Sequence, residues 1–483
     1  MVISTPSFPQ KPIWEHTYDH FEYGSGEYIV ETPDNGYILA GTFIQGDSGR
    51  HLLLKTNKNG EIIWNKTFNN YRHHWDTSVQ LTMDGGYIVG GGDVDGWLYK
   101  FDNPGNIVWH NAYGDENYQF GRYAIQAHDS GYVFTGAQSN DPVETLSTQK
   151  IWLVKTNLSG NLQWSKTYGD FGSASMGASL LQTNEGGYLV TGTISHENDQ
   201  DSFASLIKTD TNGELEWIKK LRKVGFRCRG ENSQKTPDNG FITVGRAADN
   251  YDPNTDQSFV YVIKSTSSGD TLWTRMYRKG VSSSSGSIQC LHNGDYLIAA
   301  TYANKFKTTI IGRKIPDDLD VWIFIINPNG EIIWEETFGG PHNDGVFCIH
   351  ENSDKSIVFT GYKGISKNER ALWIAKLAEV NVAVKSELFS PSDLLLYSNY
   401  PNPFNLSTFI TYSMRKNVHV TIKIYNIHGR FIKTLVNENK LAGEHSIRWH
   451  GRDRFGNNVS SGLYICEITG TGFRQSIKMV KLE

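Results

Sequence analysis

The densest group of reactive side chains in this 483-residue chain is the run Tyr71, Arg72, His73, His74, Trp75 and Asp76. A His and a Tyr so placed could serve as general base and acid in a β-elimination on a uronic-acid polysaccharide, with an Arg neutralising the substrate carboxylate. Tyr71, His73 and His74 are therefore the catalytic candidates, and Arg72 and Trp75 could hold the ligand. The same residues also fit a solvated loop in which Trp75 fills a gap between structural units, since nothing else fixes a partner for the histidines. His342, Asn343 and Asp344 hold the corresponding place farther on, and the alignment of Asp76 with Asp344 favours a turn role for both. Arg222, Arg227 and Arg229 in LRKVGFRCRGE could bind an anion or form a solvated patch. Tyr118, Phe120, Arg122 and His342 complete the ligand-binding candidates. Asp252, Asn254 and Asp256 alternate oxygen ligands like a calcium loop, yet the Gly at the sixth position and the distant Glu are missing. No cofactor is expected, with calcium at these three residues left open. HExxH, P-loop, GxSxG and dinucleotide motifs are absent from their required contexts.

The elements that must position these residues are repeats. Trp14, Trp64, Trp109, Trp164, Trp217, Trp273 and Trp334 each open a short strand just beyond a turn. Tyr37, Tyr87, Tyr132, Tyr188, Phe241, Tyr296 and Ile357 mark a second set of strands at the same period. Residues 77–113 show one unit: TSVQLTMD, the Asp84-Gly85-Gly86 turn, YIVGGG, an acidic loop, WLYKFD, an Asn-Pro-Gly turn and NIVWHNAY. Four short strands per unit of roughly 50 residues is the pattern of a propeller blade. Third strands from HLLLKTN to LWIAKLAE number seven; the last has no Trp strand after it, and PIWEHTY at 12–18 has no strands before it. The expected fold is therefore all-β, a seven-bladed β-propeller over residues 1–380, closed by an outer strand from the N-terminus. Links between strands two and three and between blades vary in length, while the other links are short turns. Variable loops on a rigid scaffold are where a site is expected.

Residues 396–483 carry 12 Lys and Arg against 5 Asp and Glu, a net +7, whereas the remainder carries 34 against 46, a net −12. The sign break supports a boundary, with a linker at 381–395 and a small basic β-sandwich at 396–483. An acidic main body argues against nucleic acid as a partner. Cys228, Cys290, Cys348 and Cys466 show no metal or redox spacing and read as free thiols, with a disulfide left open. No segment is long and apolar enough for a membrane helix, and a monomer is expected. The opening MVISTPSFPQ has neither a basic nor an apolar leader region.

The repeats resemble the DGGYIV…WLVKLDSNGNIQWSKTY units of secreted bacterial propeller proteins, over most of residues 12–379. That resemblance implies a scaffold and no particular activity. The tail resembles the type IX secretion system (Por secretion) type A sorting domain. Pro401, Asn402, Pro403 and Phe404 carry the likeness first, followed in the family's order by Gly429, Gly443, Gly451, Gly462, Tyr464 and Lys478. His450 and Leu406 stand where the family usually has Asp and Pro. The resemblance implies export across the outer membrane of a Bacteroidota-like bacterium, with the type IX machinery as partner. That route starts from a leader, so the sequence reads as a mature form. The expected function is a secreted or cell-surface protein whose variable loops bind a glycan or protein. The alternative is an extracellular polysaccharide lyase.

Overall fold

The structure is a computed structural model that describes residues 11–18, 23–45, 48–71, 77–92, 94–139, 149–172, 175–195, 202–249, 257–309, 314–366, 369–380, 394–396, 399, 401–414, 418–427, 429–441, 443–470 and 473–482. It divides into two units, Met1–Asn381 and Val382–Glu483. Every regular element among the described residues is a strand.

In the first unit the described strands form seven four-stranded antiparallel sheets, numbered one to seven in chain order. Sheet one comprises Ser25–Glu31, Tyr37–Gln45, Ser48–Thr56 and Ile62–Tyr71. Sheets two to six repeat this order, beginning with Ser78–Leu81, Gln119–Gln126, Met176–Gln182, Phe226–Lys235 and Ser282–Cys290. Sheet seven has Gly345–Glu351, Ile357–Gly364 and Arg370–Leu377, and its fourth strand is Trp14–Tyr18 from the other end of the unit. The pairing runs from Trp14 opposite Lys376 to Tyr18 opposite Leu372. The N-terminal strand thus takes the place that the split repeat requires.

The Asp-Gly turns have a shared chemistry. Thr82 Oγ1 donates to Asp84 Oδ1 at 2.5 Å, and Lys100 from the third strand reaches Asp84 Oδ2 at 3.0 Å. Lys55 with Asp34, Lys155 with Asp129, Lys264 with Asp238 and Lys376 with Asp354 repeat the ion pair. A Cβ at Gly86 would stand 2.2 Å from the Phe101 carbonyl and 2.5 Å from Lys100 Nζ, so only glycine lets the lysine in. The buried lysine ties the third strand to the first turn of its own sheet.

The repeating Trp joins one sheet to the next. The Trp64 indole covers Gly105 in the turn before the fourth strand of sheet two, and Trp109, Trp164 and Trp217 cover Gly160, Gly213 and Gly269 in the same way. Trp14 of sheet seven covers Gly60 of sheet one. Four residues after the Trp, a Tyr hydroxyl donates to the same glycine carbonyl: Tyr113 to Gly160 at 2.7 Å, Tyr168 to Gly213 at 2.7 Å and Tyr18 to Gly60 at 2.5 Å. These indoles are half-buried against the neighbouring sheet. Among the described residues of the first unit, the fully buried indoles are Trp152, Trp322 and Trp373, on third strands. One apolar cluster contains Tyr18, Leu372 and Ile374 of sheet seven together with Ile29, Tyr37 and Leu52 of sheet one.

The second unit has a three-stranded sheet of Leu394–Leu396, Thr408–Met414 and Gly443–Trp449. Its four-stranded sheet orders Phe431–Lys440, Val418–Asn426, Gly462–Gly470 and Phe473–Lys481. Alternating inward residues of both sheets share one core, including Ile410, Tyr412, Val420, Ile422, Cys466 and Met479. The first strand here begins at Leu394, inside the stretch expected to be linker.

Candidate functional site

The first strands of the sheets create the most chemically marked cavity. Six of the seven contain a β-bulge at the same level, after Gly26, Gly121, Gly177, Gly230, Ser285 and Val346. A bulge inserts one unpaired residue and re-aims its side chain. The extra residues are Glu27, Arg122, Ala178, Glu231, Gly286 and Phe347, and all six line a cavity of about 290 Å³, with Thr77 and Ser78 of sheet two completing the wall. All seven sheets therefore contribute to it. At Glu27, Arg122, Ala178 and Phe347 the bulge falls in the first half of the strand, towards the end where the chain enters from the preceding sheet, while Gly286 is central and Glu231 is the sixth of ten residues. The entry end is the one served by the variable loops.

The wall is charged unevenly. Arg122 Nη2 donates to Glu231 Oε2 at 3.4 Å across the intervening Ala178. Arg229 and Arg246, directly opposite each other on neighbouring strands, both line the cavity. Glu27 on the far side accepts from Thr42 Oγ1 at 2.5 Å and from the Thr77 amide and hydroxyl at 2.6 Å each, which joins sheets one and two. Asn232 is 9% exposed and lies on the wall, and its Oδ1 accepts no hydrogen bond among the described residues. Ser285 Oγ on the same wall is likewise buried without a partner there.

Tyr28, Gln80 and Tyr123 meet below this level. The two phenols are 2.5 Å apart, and Gln80 Nε2 donates to each at 3.1 Å. Burial pushes the Tyr123 hydroxyl up to about 12 and raises that of Tyr28 well above the usual phenol value, so both are neutral phenols at physiological pH. Beyond them a cavity of about 440 Å³ is lined by the later residues of the first strands, among them Gln126, Gln182 and Gln289. Those glutamines accept from the backbone of Met83, His128 and Glu351, so their amides hold neighbouring sheets together. Glu31 of sheet one accepts from the Ser353 amide of sheet seven at 2.7 Å in the same fashion.

The residues singled out from the sequence fall into four groups. Arg72, His73, His74, Trp75 and Asp76 lie outside the described residues, as do Asp252, Asn254 and Asp256; Tyr71 is described only as the end of a strand. Arg122 and Arg229 line the bulge cavity, while Arg227 is exposed and does not. Tyr118 and Phe120 are buried, at 4% and 0% exposure, in a cluster with Ala137 and Met176, and serve packing in place of the ligand contact expected of them. His342 is half-buried and lines neither cavity, and Asn343 Oδ1 accepts from the Leu319 amide. Asp344 is fully buried and accepts from the Gly364 amide at 2.9 Å, which is the turn role expected of it. Burial, reinforced by Asp320 and opposed by the Gly364 amide and Lys363, pushes its carboxyl up to about 6.

Glu27, Glu231, Arg246, Asn232 and Ser285 were missed. The signal for Glu27 and Glu231 was present as the residue after the glycine in Gly-Glu-Tyr-Ile and Gly-Glu-Asn-Ser, where the register slips as it does at Arg122 in Gly-Arg-Tyr-Ala. The four cysteines are free, and Cys228, Cys348 and Cys466 are buried. No helix among the described residues is long and apolar enough to cross a membrane.

In the tail, Phe404 (1% exposed) packs against Trp449 and Tyr464, with ring centroids 5.4 Å apart for the first pair and 5.2 Å for Trp449 with Tyr464. Asn402 Oδ1 accepts from the Val480 amide and its Nδ2 donates to the Lys478 carbonyl, so Pro401–Phe404 is pinned beside the last strand. Gly429 and Gly451 have φ of 72° and 61°, the left-handed region that their turns require. Gly443 and Gly462 open two strands, and Leu406 and His450 are exposed.

Residues 407–472 match the FlgD Ig-like domain family. The match lies within the second unit. No curated protein matches the sequence. Among solved structures, a protein of unknown function from Bacteroides caccae is 15% identical, with a TM-score of 0.37, over 61% of this chain and 92% of that one. A fungal alcohol oxidase of the AA5 family, in complex with copper, is 11% identical with a TM-score of 0.48, over 99% of this chain and 100% of that one. Puromycin hydrolase is 9% identical with a TM-score of 0.47, over 80% of this chain and 58% of that one.

Proposed function

We propose that the first unit is a closed seven-bladed β-propeller acting as a binding module, and that the bulge cavity at its variable-loop end receives a glycan or protein ligand. The observation that carries the binding reading is the ring of bulged residues, which sets charged and unpartnered polar groups around one cavity to which every sheet contributes. Closure is supported by the Trp14 and Tyr18 contacts with Gly60, which repeat the contacts between consecutive sheets, and by the Glu31 bond to Ser353. No observation among the described residues favours the lyase alternative. A glycan array probed with the full chain tests the binding reading. Binding that is lost on Arg122→Ala supports it, and binding unaffected by that change places the ligand elsewhere.

The tail is proposed as a type IX sorting domain, which makes the protein secreted or held at the outer-membrane surface. The support is the assembly of the motif residues into one core and one pinned terminal strand. In a host with type IX machinery, and behind a suitable leader, the chain ending at residue 380 stays in the periplasm while the full chain reaches the surface or medium. Equal export of both would refute the assignment.

A further inference from the structure

We propose that the bulge cavity binds the carboxylate of an acidic sugar residue, a terminal uronate, beside Arg229 and Arg246. The inference rests on the binding reading above and names the ligand class for that site.

Arg229 and Arg246 are register partners on adjacent antiparallel strands, and both line the cavity. The acidic groups nearby are already engaged. Glu231 accepts from Arg122, and Glu27 takes three donors on the opposite wall. The Arg229 side chain forms no hydrogen bond or ion pair with a described residue. A carboxylate placed in the cavity beside these two guanidiniums would accept charge-assisted hydrogen bonds from Arg229, with the Arg246 charge on the same wall adding to the attraction.

A second feature distinguishes a sugar acid from a bare anion. Asn232 Oδ1, on a side chain more than nine-tenths buried, is an acceptor without a donor, and Ser285 Oγ beside the cavity is also unpartnered. Buried polar groups of this kind carry a desolvation penalty until a partner arrives. An acceptor amide asks for a hydroxyl donor, which a uronate supplies next to its carboxylate and a sulfate ion or glutamate side chain does not. Ala178 and Gly286, at two of the six bulges, leave space, and Phe347 offers an apolar face. A cavity of about 290 Å³ is at the low end of small-molecule sites, suited to one terminal ring more than to a protein surface.

The test is isothermal titration calorimetry on the full chain with glucuronate and galacturonate, and with glucose and galactose as neutral counterparts. Inorganic sulfate and a glutamate-rich peptide are titrated in parallel. The uronates bind at least about tenfold more tightly than the neutral sugars, and Arg229→Gln lowers that affinity by about tenfold or more, as removing one partner of a charged hydrogen bond does. Arg229→Lys, which keeps the charge but loses the planar fork, falls between the two. Because Arg229 is exposed at the strand surface, an unchanged thermal transition confirms that each variant is folded. Neutral sugars binding as tightly as uronates, or Arg229→Gln retaining full affinity, overturns the proposal. Preference for sulfate or the acidic peptide also overturns the sugar assignment. Array binding confined to neutral glycans would defeat this inference and leave the broader binding reading standing.

Discussion

If the N-terminal strand closes the first unit, Tyr18 must behave like its internal counterparts. The Tyr18 hydroxyl, on a residue 6% exposed, donates to the Gly60 carbonyl at 2.5 Å. Tyr113 makes the same bond to Gly160 at 2.7 Å within the body of the chain. Replacing either Tyr by Phe removes one hydrogen bond and leaves a largely buried carbonyl short of a donor, a loss of about 1–2 kcal/mol. The two variants should therefore agree within about 0.5 kcal/mol, the precision to which such distant sites can be compared. Removal of residues 1–18 is far more severe. It deletes five register pairs, uncovers Gly60, and exposes the edge of Arg370–Leu377. The lost burial of Tyr18 and of the half-buried Trp14 amounts to roughly 2–4 kcal/mol. That is a substantial part of a typical domain stability of about 5–15 kcal/mol. Urea titrations followed by near-ultraviolet circular dichroism give the midpoints, and hydrogen exchange of the Arg370–Leu377 amides gives the local effect. A Tyr18→Phe chain as stable as the parent, beside a Tyr113→Phe chain that loses 1 kcal/mol or more, would refute closure by this strand.

Two further predictions concern pH. The Asp344 carboxyl, raised from 3.8 to about 6, is a group whose ionisation opposes folding: its contribution is harmless below the unfolded value and costs stability as pH rises through about 6. Asp344→Asn keeps an acceptor for the Gly364 amide and should stabilise the first unit by about 3 kcal/mol at pH 7.5 but by only about 1 kcal/mol at pH 4.5; an equal effect at both pH values in chemical denaturation would contradict it. Asp84 behaves oppositely. Burial pushes its carboxyl up, but bonds from Thr82, Lys100 and Gly86 outweigh this and hold it at about 2, so its contribution is present above 3.8 and is lost as pH falls through about 2. Asp84→Asn leaves Lys100, 3% exposed, without its counter-charge. The expected loss at pH 7 is about 1–2 kcal/mol, less than for a fully buried pair because the carboxylate is 60% exposed. Unchanged thermal stability of that variant would show that the turn does not depend on the ion pair.

Much of the scaffold was legible because its determinants are local. The Asp84-Gly85-Gly86 turn, the alternation in TSVQLTMD and the Trp-to-Tyr spacing of Trp14 and Tyr18 act within a few residues, and the split repeat placed the N-terminal strand beside LWIAKLAE by counting alone. In the tail, Asn402, Phe404, Trp449 and Tyr464 stood out in the sequence, and the structure gathers Phe404, Trp449 and Tyr464 into one core with Asn402 bonded to the last strand. The bulge cavity was not. A bulge is a property of register between two strands, so Glu27 and Glu231 read as ordinary strand positions until their partners are aligned, and only the register sets the candidate Arg122 beside them. Arg122 meets Glu231 across 109 residues of sequence, and Arg229 faces Arg246 only through the fifth sheet's pairing. Tyr118 and Phe120 show the reverse error: aromatic residues near a loop look available to a ligand, yet burial against Ala137 and Met176 decides their role. Local chemistry determined which strands and turns would form. Only tertiary packing decided which side chains share a cavity, because that depends on strand register and on neighbours far away in the chain.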